Sequence, residues 1–324
     1  MSPAYDPLVR AGLTAADVSA PISPLRREPF EFDAARYAHL KDPCPVFAGG
    51  RWHLFGTGDP GGGARHEILH ATGDELSGPW RVHDPVVLVG FEGCTDAPAV
   101  VAEGNRLHMY IQTSFNVLGG SAEHLTSDDD GATFLRRGVA LRARPGTGEA
   151  GIYDPHPVEI AGSRYLVYAA FSVIGRPDIF LARSRSGSWD GPWDRLGAIL
   201  AHPHVSWHNQ HDDPAYEWGL EGAQLLELPA GRVLLNATCF LPNAPPRDRQ
   251  RVFVAVADVP TGPFTILGPV VPGPGDGEVY ENGHATAVLD AAGRLQLVFH
   301  EWTSAHPGWR LGRASGAVAD IADF

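Results

Sequence analysis

The sequence is poor in cysteine and has no long apolar run. Its cysteines, Cys44, Cys94 and Cys239, are odd in number, widely spaced and without a CxxC pair, so a disulfide framework or a zinc site of that type is not expected. No apolar run is long enough to span a membrane, and the N-terminal segment has no apolar core of a secretory signal, which predicts a cytoplasmic protein. The glycine run at Gly61 lacks the strand-then-helix context of a nucleotide-binding loop.

Charged residues are scarce as well, and acidic residues outnumber basic ones. Charged residues make up 19% of the 324 residues, and the formal net charge is −13. An acidic chain repels phosphate backbones and anionic lipid, so neither nucleic acid nor a membrane surface is an expected partner. The charge does not choose among neutral ligands.

Glycine and proline, by contrast, are abundant, with 38 and 28 copies spread along the chain. This distribution indicates many turns between short strands. No long segment has the periodicity of an amphipathic helix, although a short helix is predicted over residues 33–40.

Five segments repeat one layout, in which a polar residue precedes two short apolar strands joined by a glycine-containing turn. They begin at Lys41, Thr95, Tyr153, Leu220 and Asn282. A second element, a turn followed by an aromatic residue, recurs at Ser77, Asp190 and Thr261, where an outer strand should begin. Regular hairpins at a long period predict an all-β protein, a five-bladed β-propeller in one domain over residues 37–324. A lead segment, residues 1–36, is predicted to wrap the propeller or to close its last blade.

The polar residues that lead the repeats are expected to meet, because the first strand of each propeller blade lines the central channel. They are Asp42, Asp96, Asp154, Glu221 and His284. A single Asp-Pro is accounted for by turn chemistry, but acids at equivalent repeat positions favour a pocket. Cleavage of a glycosidic bond needs one carboxylic acid to protonate the leaving oxygen and one carboxylate to activate water. Crowded carboxylates separate one another's pKa values, which suits this task.

The ordered set Asp42-Pro43, Asp154-Pro155, Glu221-Gly222 and Gly283-His284 resembles glycoside hydrolase family 43 and its five-bladed relatives, over residues 41–302. The resemblance implies a glycosidase that inverts the anomeric carbon by single displacement. Asp42 would be the general base, Asp154 the residue that tunes and orients the acid, and Glu221 the proton donor. His284 would lie under the pocket and help to hold a calcium or sodium ion, with no organic cofactor. The implied substrate is a small glycoside or oligosaccharide, with α-L-arabinofuranosides and β-xylosides favoured.

The sequence departs from the family pattern in blade two, where Asp96 stands at a position that many relatives give to tryptophan. Asp96 is predicted to bind a sugar hydroxyl or a cation, or to cap a turn. Ala223 follows Glu221-Gly222 where many relatives have proline. His284 has a second interpretation, as a hydrogen-bonded core histidine.

A histidine-rich segment over residues 201–222 is unusual for a loop between blades. It predicts a metal site, or a histidine that shares the acid role of Glu221, or simply solvent-facing histidines. Candidate substrate-binding residues here and nearby are Tyr153, Trp207, His208, His211 and Trp218.

Two rival functions remain open at this stage. One is a different reaction on the same acids, such as phosphorolysis, elimination or cyclisation of a natural product. The other is a propeller that binds sugar without turnover. The segment TSDDDGATF from Thr126 is predicted to be a structural hairpin turn without a catalytic role.

Overall fold

The computed structural model describes residues 25–174, 177–201, 219–240, 250–271, 280–304, 306 and 308–318. Within these ranges the backbone forms five antiparallel-based sheets and one short 3-10 turn, Pro229–Gly231. The sheets are the blades of a five-bladed β-propeller, so the predicted fold class is confirmed. No helix in the described part of the chain is both long and apolar enough to cross a membrane.

The first strand, β1 (Arg26–Glu28), is the outermost strand of blade five, where it pairs with residues 313–315. Blade one comprises β2 (His39–Ala48), β3 (Arg51–Asp59), β4 (Glu67–Gly73) and β5 (Arg81–Val82). Blade two comprises β6 (Val87–Val89), β7 (Ala99–Glu103), β8 (Arg106–Gln112), β9 (Ser121–Ser127) and β10 (Thr133–Arg142), with β7 innermost and β6 at the outer edge. Each inner hairpin coincides with one of the repeats read from the sequence.

The remaining blades have four strands each. Blade three comprises β11 (Gly151–Ile160), β12 (Ser163–Phe171), β13 (Asp178–Ser184) and β14 (Trp193–Leu200). Blade four comprises β15 (Glu221–Glu227), β16 (Val233–Phe240), β17 (Gln250–Ala257) and β18 (Thr265–Pro269). Blade five comprises β19 (Tyr280–Leu289), β20 (Leu295–Thr303), β21 (Arg310–Gly316) and the added β1.

The second recurring element precedes the outer strands β5, β14 and β18, as predicted. The helix predicted over residues 33–40 is wrong, since these residues form a turn and the start of β2. The apolar side chains of Ala34, Tyr37 and Leu40 pack against blades one and five instead. Tertiary burial therefore overrides the weak local helical pattern.

The apolar core lies between the blades. Each of the five seams between adjacent blades has its own cluster of buried side chains, for example Leu181, Leu225 and Phe253 between blades three and four. This packing fixes the inner strands around the channel, and it therefore also fixes the residues at the starts of those strands.

A buried histidine pair makes the fold sensitive to acid. In blade one, His53 Nδ1 lies 3.1 Å from His70 Nε2, and the ring of Phe55 stacks on His70. Burial lowers the pKa of His53 to about 4 and that of His70 to about 3. Both rings are therefore neutral in the folded protein at neutral pH.

Acid should destabilise the protein through this pair. The unfolded histidines titrate near pH 6.5, so the unfolded state binds more protons between about pH 6.5 and 4, and stability falls as the pH falls through that window. We expect the pair to cost about 1–2 kcal/mol of stability by pH 4.5, after allowance for solvent screening. The measurement is the urea midpoint from pH 7.5 to 4.5 for wild type and for His53→Leu/His70→Leu. An equally steep pH dependence in the double variant would contradict the assignment.

Candidate active site

A residue with a left-handed backbone recurs near the start of the inner strand in all five blades and shapes the site. In blades one, three, four and five it lies at a β-bulge, where the inner hairpin shifts register next to the residue that leads the repeat. Non-glycine residues adopt this conformation at a cost and mostly near functional sites. These residues are Asp42 (φ 51), Ala97 (φ 49), Asp154 (φ 48), Gly222 (φ 57) and His284 (φ 34).

The left-handed residues show which positions of the five repeats are structurally equivalent. Asp42, Asp154 and His284 occupy equivalent positions, but Asp96 and Glu221 each lie one residue before theirs. Asp96 and Glu221 therefore extend from a different point of the backbone than Asp42, Asp154 and His284 do. A count of sequence spacings does not reveal this offset, because it depends on where the extra residue of each bulge falls.

A ring of hydrogen bonds joins the five left-handed residues. The N–H of each one donates to a side chain of the preceding blade. The pairs, donor first, are Asp42 to His300 Nδ1 (3.1 Å), Ala97 to Thr57 Oγ1 (2.9 Å), Asp154 to Gln112 Oε1 (2.7 Å), Gly222 to Asp154 Oδ2 (3.0 Å) and His284 to Thr238 Oγ1 (2.7 Å). Four of the acceptors belong to the second strand of a blade, whereas Gly222 donates to a carboxylate that itself faces the pocket.

The exception in blade three has a local cause. The second-strand residue across from Tyr153 is Ala169, which has no acceptor, whereas Thr57, Thr238 and His300 stand at the corresponding places in blades one, four and five. The N–H of Gly222 therefore bonds to Asp154 and fixes the orientation of that carboxyl group. The other oxygen of Asp154, Oδ1, is buried and without a hydrogen-bond partner among the described residues.

His284 lies at the centre of the three predicted catalytic carboxylates. Its Nδ1 is 3.0 Å from Asp42 Oδ1, and its Nε2 is 3.4 Å from both Asp154 Oδ2 and Glu221 Oε1. Thr57 donates a 2.6 Å hydrogen bond to the other oxygen of Asp42. The structure thus brings Asp42, Asp154, Glu221 and His284 together from four different blades.

The electrostatics separate the roles of these groups. Burial by itself raises the pKa of Asp42, but the positive charge and hydrogen bond of His284 outweigh it and hold that pKa well below its usual range. Burial opposes a charge on His284, yet the carboxylates of Asp154 and Asp42 raise its pKa well above the ordinary value. Burial, offset in part by His284 and reinforced by the charges of Glu221 and Asp42, raises the pKa of Asp154 to about 7. The site therefore pairs an ionised Asp42 with a carboxyl group that holds a proton near neutral pH.

A cavity of about 320 Å³ opens above these groups, a size typical of sites for small ligands. One wall is polar and includes Lys41, Thr57, His66 and Asp96, while Phe115 lies on another part of the lining. Gln112, Gln250, His300 and Trp309 complete the lining together with the central residues. Below His284 the channel narrows to a space of about 40 Å³.

Asp96 faces this cavity and is already engaged with neighbours. It forms a short hydrogen bond with His66 Nδ1, and the thiol of Cys94 donates to its other oxygen at 2.6 Å. His66 Nε2 lies 3.7 Å from Asp59. The role of Asp96 in binding substrate stays a prediction, now as part of a polar wall that includes His66.

The remaining predicted residues divide into two groups. Tyr153 is buried with its ring between Phe115 and Phe171, and its hydroxyl donates to Glu221 Oε2 at 3.5 Å. The other predicted residues lie outside the described residues, as do all of residues 202–218 in the histidine-rich segment. They are Trp207, His208, His211 and Trp218.

Sequence reasoning missed His66, His300 and Thr57. The signal for Thr57 and His300 is the hairpin register, because the residue across from the last paired position before the bulge is polar in blades one, four and five. No comparable signal marks His66, which reaches the pocket from the end of the loop between β3 and β4.

The group Asp154, Glu221 and His284 has potential ligand atoms within 4.8 Å of one another. Calcium and sodium prefer sets of oxygen ligands. Both nitrogens of His284 face carboxylates, and the protonated ring has no lone pair to offer a cation. His284 in this arrangement therefore does not fit as a direct ligand, and the ion near it stays a prediction.

No protein-family model matches the sequence, and no curated protein matches it. Solved structures do match. A thermostable family-43 glycoside hydrolase superposes with a TM-score of 0.68 at 17% identity, covering 90% of this chain and 91% of that one. An endo-arabinase from Bacteroides thetaiotaomicron superposes with a TM-score of 0.64 at 15% identity, covering 89% of this chain and 96% of that one.

The catalytic domain of a GH62 α-L-arabinofuranosidase from Coprinopsis cinerea gives a TM-score of 0.63 at 15% identity, covering 90% of this chain and 94% of that one. Identities this low establish likeness of fold. The resemblance read from the sequence is therefore confirmed at that level: this chain has the five-bladed β-propeller fold found in glycoside hydrolases of families 43 and 62.

Proposed function

We propose that the protein is an inverting glycoside hydrolase acting on a small glycoside or oligosaccharide. The observation that carries the proposal is the convergence of Asp42, Asp154 and Glu221 on His284 at the floor of one cavity. A non-catalytic binding site has no need to bury three carboxylates together, because their mutual repulsion is destabilising.

In this proposal Asp42 is the base. Its low pKa keeps it ionised, and it accepts a proton from a water molecule that attacks the anomeric carbon. A strongly depressed pKa makes Asp42 a weak base, so the pairing with His284 is expected to loosen as the proton is transferred. The His284 ring then has the remaining carboxylates as partners.

Glu221 is the proposed proton donor to the leaving oxygen, and Asp154 is its tuning partner. The N–H of Gly222 holds Asp154, and the raised pKa of that carboxyl group keeps a proton on it, beside Glu221, near neutral pH. The other oxygen of Asp154, Oδ1, is buried, so the carboxyl group is held beside Glu221 and not turned toward the open cavity.

Pentosides are the proposed substrates. The neighbours in fold are described as an endo-arabinase and an α-L-arabinofuranosidase, and the cavity of about 320 Å³ is large enough for a pentose ring. The test is hydrolysis of a panel of aryl glycosides led by α-L-arabinofuranoside and β-xyloside, with the anomer of the first product followed by NMR. Product of retained configuration would overturn the single-displacement mechanism, and no turnover on any sugar would overturn the hydrolase.

Gly222 offers a structural test of the His284 assignment. A Cβ at this position would come within 2.7 Å of the His284 ring, so Gly222→Ala should displace the imidazole and lower kcat/KM about a hundredfold. Gly231 is the matched control, because it also has positive φ but open space around it. Both alanines should cost about 1 kcal/mol of stability through the left-handed backbone. Equal loss of activity in the two variants would remove His284 from the mechanism.

Four further sequence-based expectations stay predictions. They are the division at residue 36, the cytoplasmic location, the absence of nucleic-acid and membrane partners, and an ion near His284. Phosphorolysis, or another reaction on the same acids, is the alternative that a product analysis of the same panel distinguishes.

A further inference from the structure

Large apolar side chains are exposed beside the mouth of the cavity. Of the eleven that are exposed among the described residues, five lie on two adjacent loops. The loop between β8 and β9 carries Phe115, Val117 and Leu118, and the loop after β12 carries Val173 and Ile174, each 41–57% exposed. We call these five side chains the apolar rim.

The two loops meet at Gly151, at the start of β11. Gly119 donates a 2.7 Å hydrogen bond to Ala150 and forms a bridge with Gly151. A Cβ at Gly151 would come within 2.7 Å of the Val117 carbonyl, and it would also run into the ring of Phe171, the last residue before the second loop. The two loops that carry the apolar rim therefore lie side by side at the start of β11.

The apolar rim connects to the reaction centre on the side of the proposed acid. Phe115 lines the cavity and packs edge-on against Tyr153 at 5.0 Å, and the Tyr153 hydroxyl reaches Glu221. The same cavity is also lined by the polar side chains of Lys41, His66 and Asp96. Phe115 thus brings the apolar rim to the cavity that Glu221 lines, alongside polar groups suited to sugar hydroxyls.

We infer that the apolar rim binds an apolar leaving group, so that the substrate is a glycoside of a hydrophobic aglycone and not a sugar polymer. The inference rests on the proposed function, because the proton donor must face the leaving oxygen and the aglycone must therefore extend past Glu221. A polymer would place hydroxyl-rich sugars against the rim and leave its five apolar side chains unmatched.

The experiment compares methyl and octyl glycosides of the same sugar, α-L-arabinofuranose and β-xylose, with the octyl compounds below their micelle concentration. The proteins are wild type, Leu118→Ser/Ile174→Ser and the control Val259→Ser. Val259 is 48% exposed on the loop between β17 and β18, at the other end of the blades. Binding of the non-hydrolysable octyl 1-thioglycosides is measured in parallel by calorimetry.

We expect wild type to prefer the octyl over the methyl glycoside by about tenfold in kcat/KM, and the double variant to reduce that ratio about fivefold. The control should keep the wild-type ratio. Turnover without any preference for the octyl compound would overturn the inference and leave the hydrolase intact. Thioglycoside binding that weakens in the double variant, with no turnover of any glycoside, would support the rim and overturn the hydrolase. A self-association abolished by the double variant, with an unchanged octyl-to-methyl ratio, would assign the rim to a second copy of the chain and overturn the inference.

Discussion

Replacing Glu221 with glutamine is expected to lower kcat/KM for an alkyl pentoside by about a thousandfold. Glutamine keeps the size and the hydrogen-bonding oxygen of the side chain, but it cannot deliver a proton to the leaving oxygen. Because an aryl leaving group such as a nitrophenolate departs with little protonation, the same variant should lose much less activity on activated aryl pentosides. The dependence on leaving group is the signature of a lost acid.

The matched control is Glu227→Gln, which makes the same change on the same strand. Glu227 accepts a hydrogen bond from the Ala161 N–H, and glutamine can still accept it. Its kcat/KM should equal that of wild type. If Glu221→Gln lost alkyl and aryl substrates to the same extent, Glu221 would have a structural or binding role, and a proton donor from the histidine-rich segment would have to be sought.

Replacing Asp42 with asparagine is expected to lower kcat by about a thousandfold on every substrate, whatever its leaving group. Water must be activated in each case, and a neutral amide does not accept the proton. The fold should tolerate the change, because asparagine is one of the few residues that adopt the left-handed backbone of position 42 and its oxygen can accept the Thr57 hydrogen bond. Kinetics on alkyl and aryl pentosides, with circular dichroism for folding, check this result.

Asp258→Asn is the control for the loss of one negative charge. Asp258 has 92% of its side chain exposed in the turn between β17 and β18, away from the cavity. A fall in activity there, or an Asp42→Asn variant that spares aryl pentosides, would exclude Asp42 as the base.

Comparing Glu221→Gln with Asp42→Asn distinguishes the acid from the base better than either variant does by itself. An acid variant should discriminate between leaving groups and a base variant should not. Asp154 is expected to act with the acid. Its raised pKa and its hydrogen bond from the Gly222 N–H couple it to Glu221 without requiring contact with the attacking water.

The repeat pattern of the amino-acid sequence predicts the fold correctly. Five hairpins with alternating apolar strands must bury one face against a neighbour, and five repeats achieve that by closing into a ring. The same reasoning identified Asp42, Asp154, Glu221 and His284, because the start of each inner strand converges on the channel. The local pattern at residues 33–40 wrongly predicts a helix, because the packing of Tyr37 and Leu40 on neighbouring blades decides the backbone there.

How these groups act on one another depends on the packing of the blades. The left-handed residues that offset Glu221 and Asp96 by one position, the Ala169 that leaves the Gly222 N–H to Asp154, and the glycine that makes room for His284 depend on contacts between blades. His66 and the apolar rim likewise come from loops that no repeat pattern aligns. Strand periodicity is a local property of the chain, whereas pKa values and pocket walls arise from groups far apart in sequence that only the closed ring brings within a few ångströms.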